Sequence, residues 1–394
     1  MSSRLYHLEA VRGLAAIVVL LHHGFLGFAP TVTGFLNSPG MRDATSFVGS
    51  PLFFLVNGQG AVVLFFVLSG FVLPMRYFEA GDARIIVVAS LKRLPRLYLP
   101  VACSILLTWL LFQVGAFAFT PAAAISGSSW LANSAFVDAT HLRVDLREAI
   151  AATWTVFSVG NSTFNNVLWT MRPELLGSFL VFGMAPLLRA SRGSLEATGL
   201  VALALVFTAT CADVLVPFAL GCALSYLARA VPRSLPWPAA TVMIVLGLAC
   251  LSYVEPIGAY SFLGNLPQSQ LLVFGINAFG AGLLLLAVHH NRGLSRGLGS
   301  RLGYWLGLYS FPIYLVHFLV IATLGSAAFV YAHATGCNPF WTASAAFAVT
   351  VVGSVVLATP LAAIDTLWLR LLGRVFSGSS ERKVVAQDRQ APAE

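Results

Sequence analysis

Charged residues are scarce in this chain of 394 residues. Asp, Glu, Lys and Arg together make up 10% of it, whereas hydrophobic types make up 58%. An ordinary soluble domain is about 25% charged, because ionic side chains cover its surface. So few charges argue against a soluble single core, a disordered chain and a coiled coil. We therefore expect a protein that is embedded in a lipid bilayer.

Cysteines are also few, and no two of them form a Cys-x-x-Cys pair. This spacing indicates neither a zinc site nor a disulfide framework, and we expect no bound metal. The net charge of +8 could suggest a nucleic-acid ligand. The basic residues are instead scattered between apolar runs, so we expect no nucleic-acid partner.

Ten stretches are long and apolar enough to cross a bilayer, which requires roughly 20 mostly apolar residues. They predict an all-α polytopic membrane protein with about ten transmembrane helices. Only two residues separate the fifth and sixth stretches, which predicts a tight hairpin, and the ninth is long enough to be broken or tilted. The stretches are 8–29, 52–73, 97–119, 166–188, 194–211, 213–229, 236–254, 270–289, 303–330 and 341–369.

The basic residues predict the orientation. Of 23 Lys and Arg, 18 fall in the loops and termini on one side, three fall on the other side, and Arg12 and Arg172 lie within stretches. Cytoplasmic loops carry the excess of Lys and Arg, so both termini are expected in the cytoplasm. We expect one transmembrane domain over 1–376 and a disordered cytoplasmic tail over 377–394. The first stretch could resemble a signal peptide. Because Arg12 interrupts its apolar run, we interpret this stretch as a retained helix.

The largest polar segment, 120–165, falls on the outer side. It predicts a short amphipathic helix near 142–152 and carries Asp138, His141 and Arg143. Two interpretations stay open: a solvated loop, or a platform over an outward-facing site.

The first stretch places ionisable side chains on one helix face. Arg12 and His23 are eleven residues apart, which is three helical turns plus about 20°, or roughly 16 Å along the axis. Glu9 is three residues before Arg12 and can pair with it. The spacing predicts a cation at the cytoplasmic mouth of a groove and an imidazole on the outer side of the same groove. His22 points about 100° away, and we interpret it as structural.

Other polar residues interrupt the second, fourth and ninth stretches, where ionisable groups cost about 3 kcal/mol. Ser69 fits helix packing. Glu174 is predicted near the outer mouth, at a depth similar to that of His23. Ser310, Tyr314 and His317 share one helix face, which predicts the wall of a cavity. At the inner side, two interpretations of a basic cluster stay open, lipid anchoring or a dock for phosphates; the cluster is Lys92, Arg93 and Arg96.

With these residues assembled, the chain resembles the membrane-bound acyltransferase-3 family from about residue 8 to 372. Four motifs carry the resemblance, and the basic step at 92–96 is also similar. They are the Arg-x10-His pair Arg12 and His23, the Phe-Phe-x-Leu-Ser-Gly-Phe stretch 65–71, the helix start 169–174, and the Ser-x-x-x-Tyr-Leu-x-His segment 310–317. The chain departs from many relatives at Arg172-Pro173, where uncharged residues are usual.

The resemblance implies transfer of a small acyl group, usually acetyl, from acyl-CoA to a hydroxyl of a surface or secreted carbohydrate. The implied setting is multi-pass insertion in the bacterial cytoplasmic membrane. The implied partners are acyl-CoA, a carbohydrate acceptor such as an exopolysaccharide or lipid-linked glycan, the lipid bilayer and polysaccharide-assembly proteins. Since an acyl thioester is already activated, we expect no permanently bound cofactor, only acyl-CoA as cosubstrate.

Within this hypothesis each candidate residue has a role. His23 is the general base for the acceptor hydroxyl, because an imidazole titrates near neutral pH. Arg12, oriented by Glu9, binds the CoA end of the donor, and Glu174 acts on the acceptor side. The remaining candidates bind substrate: Tyr314 and Ser69 as oxyanion donors, Ser310 in the polar stripe, Lys92, Arg93 and Arg96 at the phosphates, and His317 as a second acid–base group or a structural partner.

Two rival functions remain. A secondary transporter for a glycan or organic acid would also place Arg, Glu and His inside the membrane. We find no internal duplication, which many transporters have. The second rival function is that of a non-catalytic subunit in a polysaccharide assembly machine. Within the enzyme hypothesis, direct transfer and a covalent acyl-enzyme both fit the sequence.

Overall fold

The computed structural model describes residues 5–33, 47–134, 145–231 and 234–376. Over these ranges all regular structure is helical. The helices are α1 (Tyr6–Phe28), α2 (Pro30–Thr33), α3 (Gly58–Val72), α4 (Met75–Ala80), α5 (Ala83–Gln113), α6 (Phe119–Ser126), α7 (Leu146–Ser158), α8 (Met171–Ala190), α9 (Ser194–Cys211), α10 (Val216–Ala228), α11 (Trp237–Leu251), α12 (Gln270–His290), α13 (Arg292–Leu298), α14 (Arg301–Val320), α15 (Ser326–Ala334) and α16 (Pro339–Phe376).

The apolar helices confirm the predicted class, an all-α polytopic membrane protein. Eight helical segments of the described chain are long and apolar enough to cross a membrane. Two shorter apolar helices, Asp213–Ala228 and Trp237–Leu251, coincide with the sixth and seventh predicted stretches. The ninth stretch is broken as expected, because a π-helical turn, Ile321–Gly325, separates α14 from α15. The predicted tail over 377–394 lies outside the described residues.

The predicted start of the third stretch, residue 97, is wrong. Helix α5 begins 14 residues earlier, at Ala83, where the side chain of Asp82 accepts a hydrogen bond from the backbone N–H of Arg84. Pro95 and Pro100 lie inside this helix without ending it. The predicted basic cluster, Lys92, Arg93 and Arg96, therefore lies in a helix and not in a loop. Arg93 is buried in the protein interior, whereas Arg96 is exposed.

The predicted amphipathic helix of the outer segment is present as α7. Its bounds, Leu146–Ser158, are shifted toward the C-terminus because Asp145 caps it by accepting from the N–H of Arg147. Asp138, His141 and Arg143 lie outside the described residues.

Helices α1 and α14 pack closely, and this contact positions the polar residues of both. Gly13 of α1 faces the backbone of Leu306, and Gly307 of α14 faces the Cβ of Glu9. Glycine at a contact lets helix backbones approach each other in a membrane. The polar face of α1 is thereby held against the stripe that carries Ser310, Tyr314 and His317.

A second close contact joins α3 and α10 and leads to a testable prediction. A β-carbon at Gly221 would overlap the Val67 carbonyl and approach Gly70. We expect Gly221→Ala to lower the free energy of unfolding by about 1–3 kcal/mol, the usual cost of overpacking. Thermal unfolding of the detergent-purified protein measures this. Gly183→Ala is the matched control, since nothing lies within 4 Å of its added carbon; equal melting of both variants would contradict the prediction.

Candidate active site

Two histidines from α1 and α14 form a hydrogen-bonded pair, in which His317 is buried and His23 is partly buried. His23 Nδ1 lies 2.9 Å from His317 Nε2, and His317 Nδ1 lies 3.1 Å from the carbonyl oxygen of Ile313. His317 is 0% exposed. A carbonyl can only accept, so His317 carries its proton on Nδ1 and accepts from His23 Nδ1–H through Nε2. In this tautomer His23 Nε2 has no proton and is available as a base.

Trp130 covers the other side of this pair. Its ring lies parallel to the His23 imidazole, with centroids 5.1 Å apart and planes 9° apart. Trp130 begins a π-helical turn of the outer segment, which Ser128 anchors by donating to the Leu26 carbonyl at 2.5 Å. One part of the outer segment therefore packs against the histidine pair. A tryptophan among small polar residues was the signal in the sequence, and we did not predict its role.

His23 lines a cavity of about 400 Å³ that we name the outer cavity. It lies where α3 and α12 begin and where a 3₁₀ turn precedes α8. His22 also lines it, and its Nδ1 donates to the Val56 carbonyl at 2.8 Å. The lining of the outer cavity includes His23, Gln59, Trp169, Gln270, Val62 and Tyr314.

A larger cavity of about 1080 Å³, the inner cavity, holds Arg12. Val62 and Tyr314 line both cavities and form a partition between them. The groove predicted for Arg12 and His23 is present as two adjoining cavities, which share Val62 and Tyr314 in their walls. The partition comes from α3 and α14, which periodicity along α1 alone does not reveal.

Arg12 pairs with Glu9 as predicted. The Arg12 Nη1 to Glu9 Oε2 distance is 2.5 Å, and both side chains line the inner cavity.

Glu174 lies at the inner cavity, so its predicted position near the outer mouth is wrong. It forms an ion pair with Arg93 and accepts from the hydroxyl of Ser69 at 2.6 Å. Arg93 also donates through Nε to Ser178. The 3₁₀ turn Asn166–Thr170 begins this segment, and Glu174 lies in the first turn of α8 that follows it. A guanidinium buried in α5 needs such a carboxylate, because an unpaired buried charge is very costly.

The hydroxyls of the predicted polar stripe are already engaged. Tyr314 donates to the Val167 carbonyl at 2.7 Å and lies 2.7 Å from the hydroxyl of Thr170. Ser310 donates to the Gly307 carbonyl at 2.8 Å. Tyr314 and Ser310 line the inner cavity, so the prediction of a cavity wall is confirmed for them.

A family model described as an acyltransferase domain matches residues 5–359, nearly the whole chain. The chain belongs to the acyltransferase-3 family. It is a multi-pass membrane acyltransferase, in agreement with the resemblance of its motifs. Comparisons with curated proteins and with solved structures found no match.

The basic cluster of this acyltransferase does not act as one group. Arg96 lines the inner cavity, Arg93 is held by Glu174, and Lys92 lies outside the cavity with its Nζ 5.6 Å above the ring of Phe376. Four further charged residues line the inner cavity and were missed by sequence reasoning: Arg76, Glu79, Asp365 and Arg370. In the sequence, the basic residues resemble the Lys and Arg that commonly flank membrane helices on the cytoplasmic side. Their spacing therefore does not show that they line one cavity.

Proposed function

We propose that this membrane acyltransferase moves an acyl group, in the simplest case acetyl, from acyl-CoA to a hydroxyl of a carbohydrate such as an exopolysaccharide or lipid-linked glycan. The bacterial cytoplasmic membrane is the proposed location. One observation carries the proposal. His23, with Nε2 free to accept a proton, lines an outer cavity that shares the Val62–Tyr314 partition with an arginine-rich inner cavity. Donor and acceptor can thus reach one partition from opposite sides.

The inner cavity fits the donor. Its volume of about 1080 Å³ lies just above the usual range for ligand pockets, about 300–1,000 Å³, as a long donor requires. Arg12, Arg76, Arg96 and Arg370 line it, and arginine binds phosphate through charge-assisted hydrogen bonds. We assign the nucleotide phosphates to this set and leave Arg93 out, because Arg93 is buried in its pair with Glu174, whereas Arg12, although paired with Glu9, stays partly exposed. The acyl thioester then extends toward Tyr314.

The transfer step uses His23 as general base. The acceptor hydroxyl gives its proton to His23 Nε2 while its oxygen attacks the thioester carbon. A C–O bond forms, the C–S bond breaks, and the leaving thiolate takes the proton from His23 to become the CoA thiol. His317 positions the imidazole through Nδ1. For the developing oxyanion, Tyr314 exchanges its hydrogen bond to Val167 for one to the thioester oxygen.

Direct transfer and a covalent relay place the acyl group differently. In direct transfer the Tyr314 side chain moves aside and the thioester meets the acceptor. In a relay His23 Nε2 first attacks the thioester carbon, a C–N bond forms, the C–S bond breaks, and CoA leaves as the thiolate. The acceptor oxygen then displaces His23 from the acyl carbon, and the proton of the acceptor hydroxyl ends on the CoA thiolate. Denaturation at neutral pH after mixing with labelled acetyl-CoA and no acceptor distinguishes them, because only the relay leaves label on the protein, and that label is lost in His23→Ala.

Ester-linked acyl groups on the surface and secreted glycans of the host test the proposal. A strain lacking the protein should lose one acyl signal, and the wild-type complement should restore it. Purified protein in nanodiscs should also release CoA thiol from acetyl-CoA when the identified glycan is added. Two cavities on opposite sides of a partition also suit a secondary transporter, the rival function. Unchanged acyl signals and no thiol release would favour that transporter.

Trp130 provides a prediction for this mechanism. The imidazole becomes cationic when it takes the proton, and an aromatic face stabilises a cation by about 0.5–2 kcal/mol. We expect Trp130→Leu to lower kcat about 10-fold and to leave KM for acetyl-CoA unchanged, whereas Trp130→Phe restores most of kcat. Steady-state thiol release measures both constants. A raised KM with unchanged kcat, or a Phe variant no better than Leu, would contradict this role.

A further inference from the structure

The two cavities differ in charge. The inner cavity is lined by arginines from four helices and by carboxylates that include Glu9 and Asp365. The lining of the outer cavity, as far as the described residues form it, contains no Asp, Glu, Lys or Arg. A charged group that entered the outer cavity would lose water and gain no opposite charge, which is costly. This lining favours an uncharged ligand part.

Three elements bring polar and aromatic side chains together in this cavity. Gln59 lies in the first turn of α3, Gln270 begins α12, and Trp169 lies in the 3₁₀ turn before α8. Trp169 is 42% exposed although it lines the cavity, so its ring is accessible to a ligand. His23 lines the same space.

These side chains match the chemistry of a sugar ring. An amide both donates and accepts hydrogen bonds, as a sugar hydroxyl does. The C–H face of a pyranose is apolar and packs on an aromatic ring, whose flat surface offers a large apolar contact. The volume of about 400 Å³ lies near the lower end of the range for ligand pockets, about 300–1,000 Å³. The space suits a short part of a glycan.

We infer that Gln59, Trp169 and Gln270 form the acceptor subsite and that it takes an uncharged sugar residue, with one hydroxyl directed at His23. This inference rests on the proposed function and narrows its acceptor. It excludes uronate and phosphate groups from the ring that is acylated, although such groups can occur elsewhere in the same glycan.

Saturation-transfer NMR on the nanodisc protein tests the subsite directly. The uncharged probes are methyl β-glucopyranoside and methyl α-mannopyranoside, and the charged probes are methyl β-glucuronide and glucose 6-phosphate. We expect signal from the uncharged probes only, lowered at least about fivefold in Gln59→Leu, Trp169→Leu and Gln270→Leu, as loss of one contact of about 1 kcal/mol predicts. Trp341→Leu and Gln113→Leu, which alter exposed residues outside both cavities, should retain the signal.

Each result has a definite meaning. Equal signal from charged probes, or from the Trp169→Leu variant, overturns the inference, and so does the absence of signal from every uncharged probe. An equal loss in Trp341→Leu would show that membrane anchoring by tryptophan explains the effect, which also overturns it. Acetyl-CoA turnover on the host glycan is measured in parallel. Turnover without probe binding leaves the proposed function standing, whereas probe binding without turnover keeps the subsite and rejects the acyltransferase mechanism.

Discussion

His23→Ala is expected to lower acyl transfer by about 10³-fold or more, since a positioned general base contributes roughly 10²–10⁴. The substitution removes His23 Nε2, the nitrogen that carries no proton in the tautomer set by His317, from the lining of the outer cavity. Thiol release by the purified protein measures the rate. Glycan acylation by a complemented strain measures it in the membrane, with expression of the variant verified by immunoblot.

Matched variants separate this role from general damage. His333→Ala removes an exposed histidine of α15 and should retain wild-type activity. His317→Ala should lower kcat about 10- to 100-fold, because the His23 ring loses the partner that orients it. His317→Gln should recover much of this rate, since its side-chain oxygen can replace Nε2 as acceptor, whereas the shorter His317→Asn should not.

Two outcomes would contradict the assignment. Full activity in His23→Ala would exclude it as the base and make His317 the next candidate. A His317→Gln variant as inactive as His317→Ala would show that His317 itself transfers a proton. Its role would then be catalytic instead of positioning.

Helical periodicity correctly predicted which polar side chains share one face of α1. Glu9, Arg12 and His23 could be placed on one face because helical geometry is local, and the pair Glu9–Arg12 forms as expected. The partition at Val62 and Tyr314 could not be predicted. It depends on the approach of α3 and α14, which are far apart in the sequence.

Depth inside the membrane was the weaker part of the sequence reasoning. Glu174 was expected near the outer mouth because it follows closely on the start of the fourth stretch, and that start, residue 166, agrees with the structure. Its position is instead set by Arg93 and Ser69, which α5 and α3 bring to it. Its partner Arg93 was grouped with Lys92 because both are basic, although the helix turns them in different directions. An ion pair between helices that are distant in the sequence, such as α5 and α8, can be identified only once the three-dimensional fold is known.

Loss of the Arg93–Glu174 pair is the other large effect that we expect. The two side chains are only 7% and 14% exposed. Removing one partner of a buried pair leaves an uncompensated charge and costs about 3–5 kcal/mol. Glu174→Leu and Arg93→Met should each lower the free energy of unfolding by about that amount. Thermal unfolding and yield in detergent measure the loss, and Glu9→Ala, which breaks a more exposed pair, should change stability by less than about 1 kcal/mol.

The double variant Arg93→Met with Glu174→Leu distinguishes a structural pair from a functional one. Stability should return, because apolar residues of similar volume replace a buried ion pair with little or no cost. Transfer should stay at least about tenfold below wild type, since both side chains line the inner cavity proposed for the donor. A raised KM for acetyl-CoA would place the pair in donor binding. Recovery of both stability and transfer would instead assign Glu174 to the neutralisation of Arg93 alone and remove it from the catalytic residues.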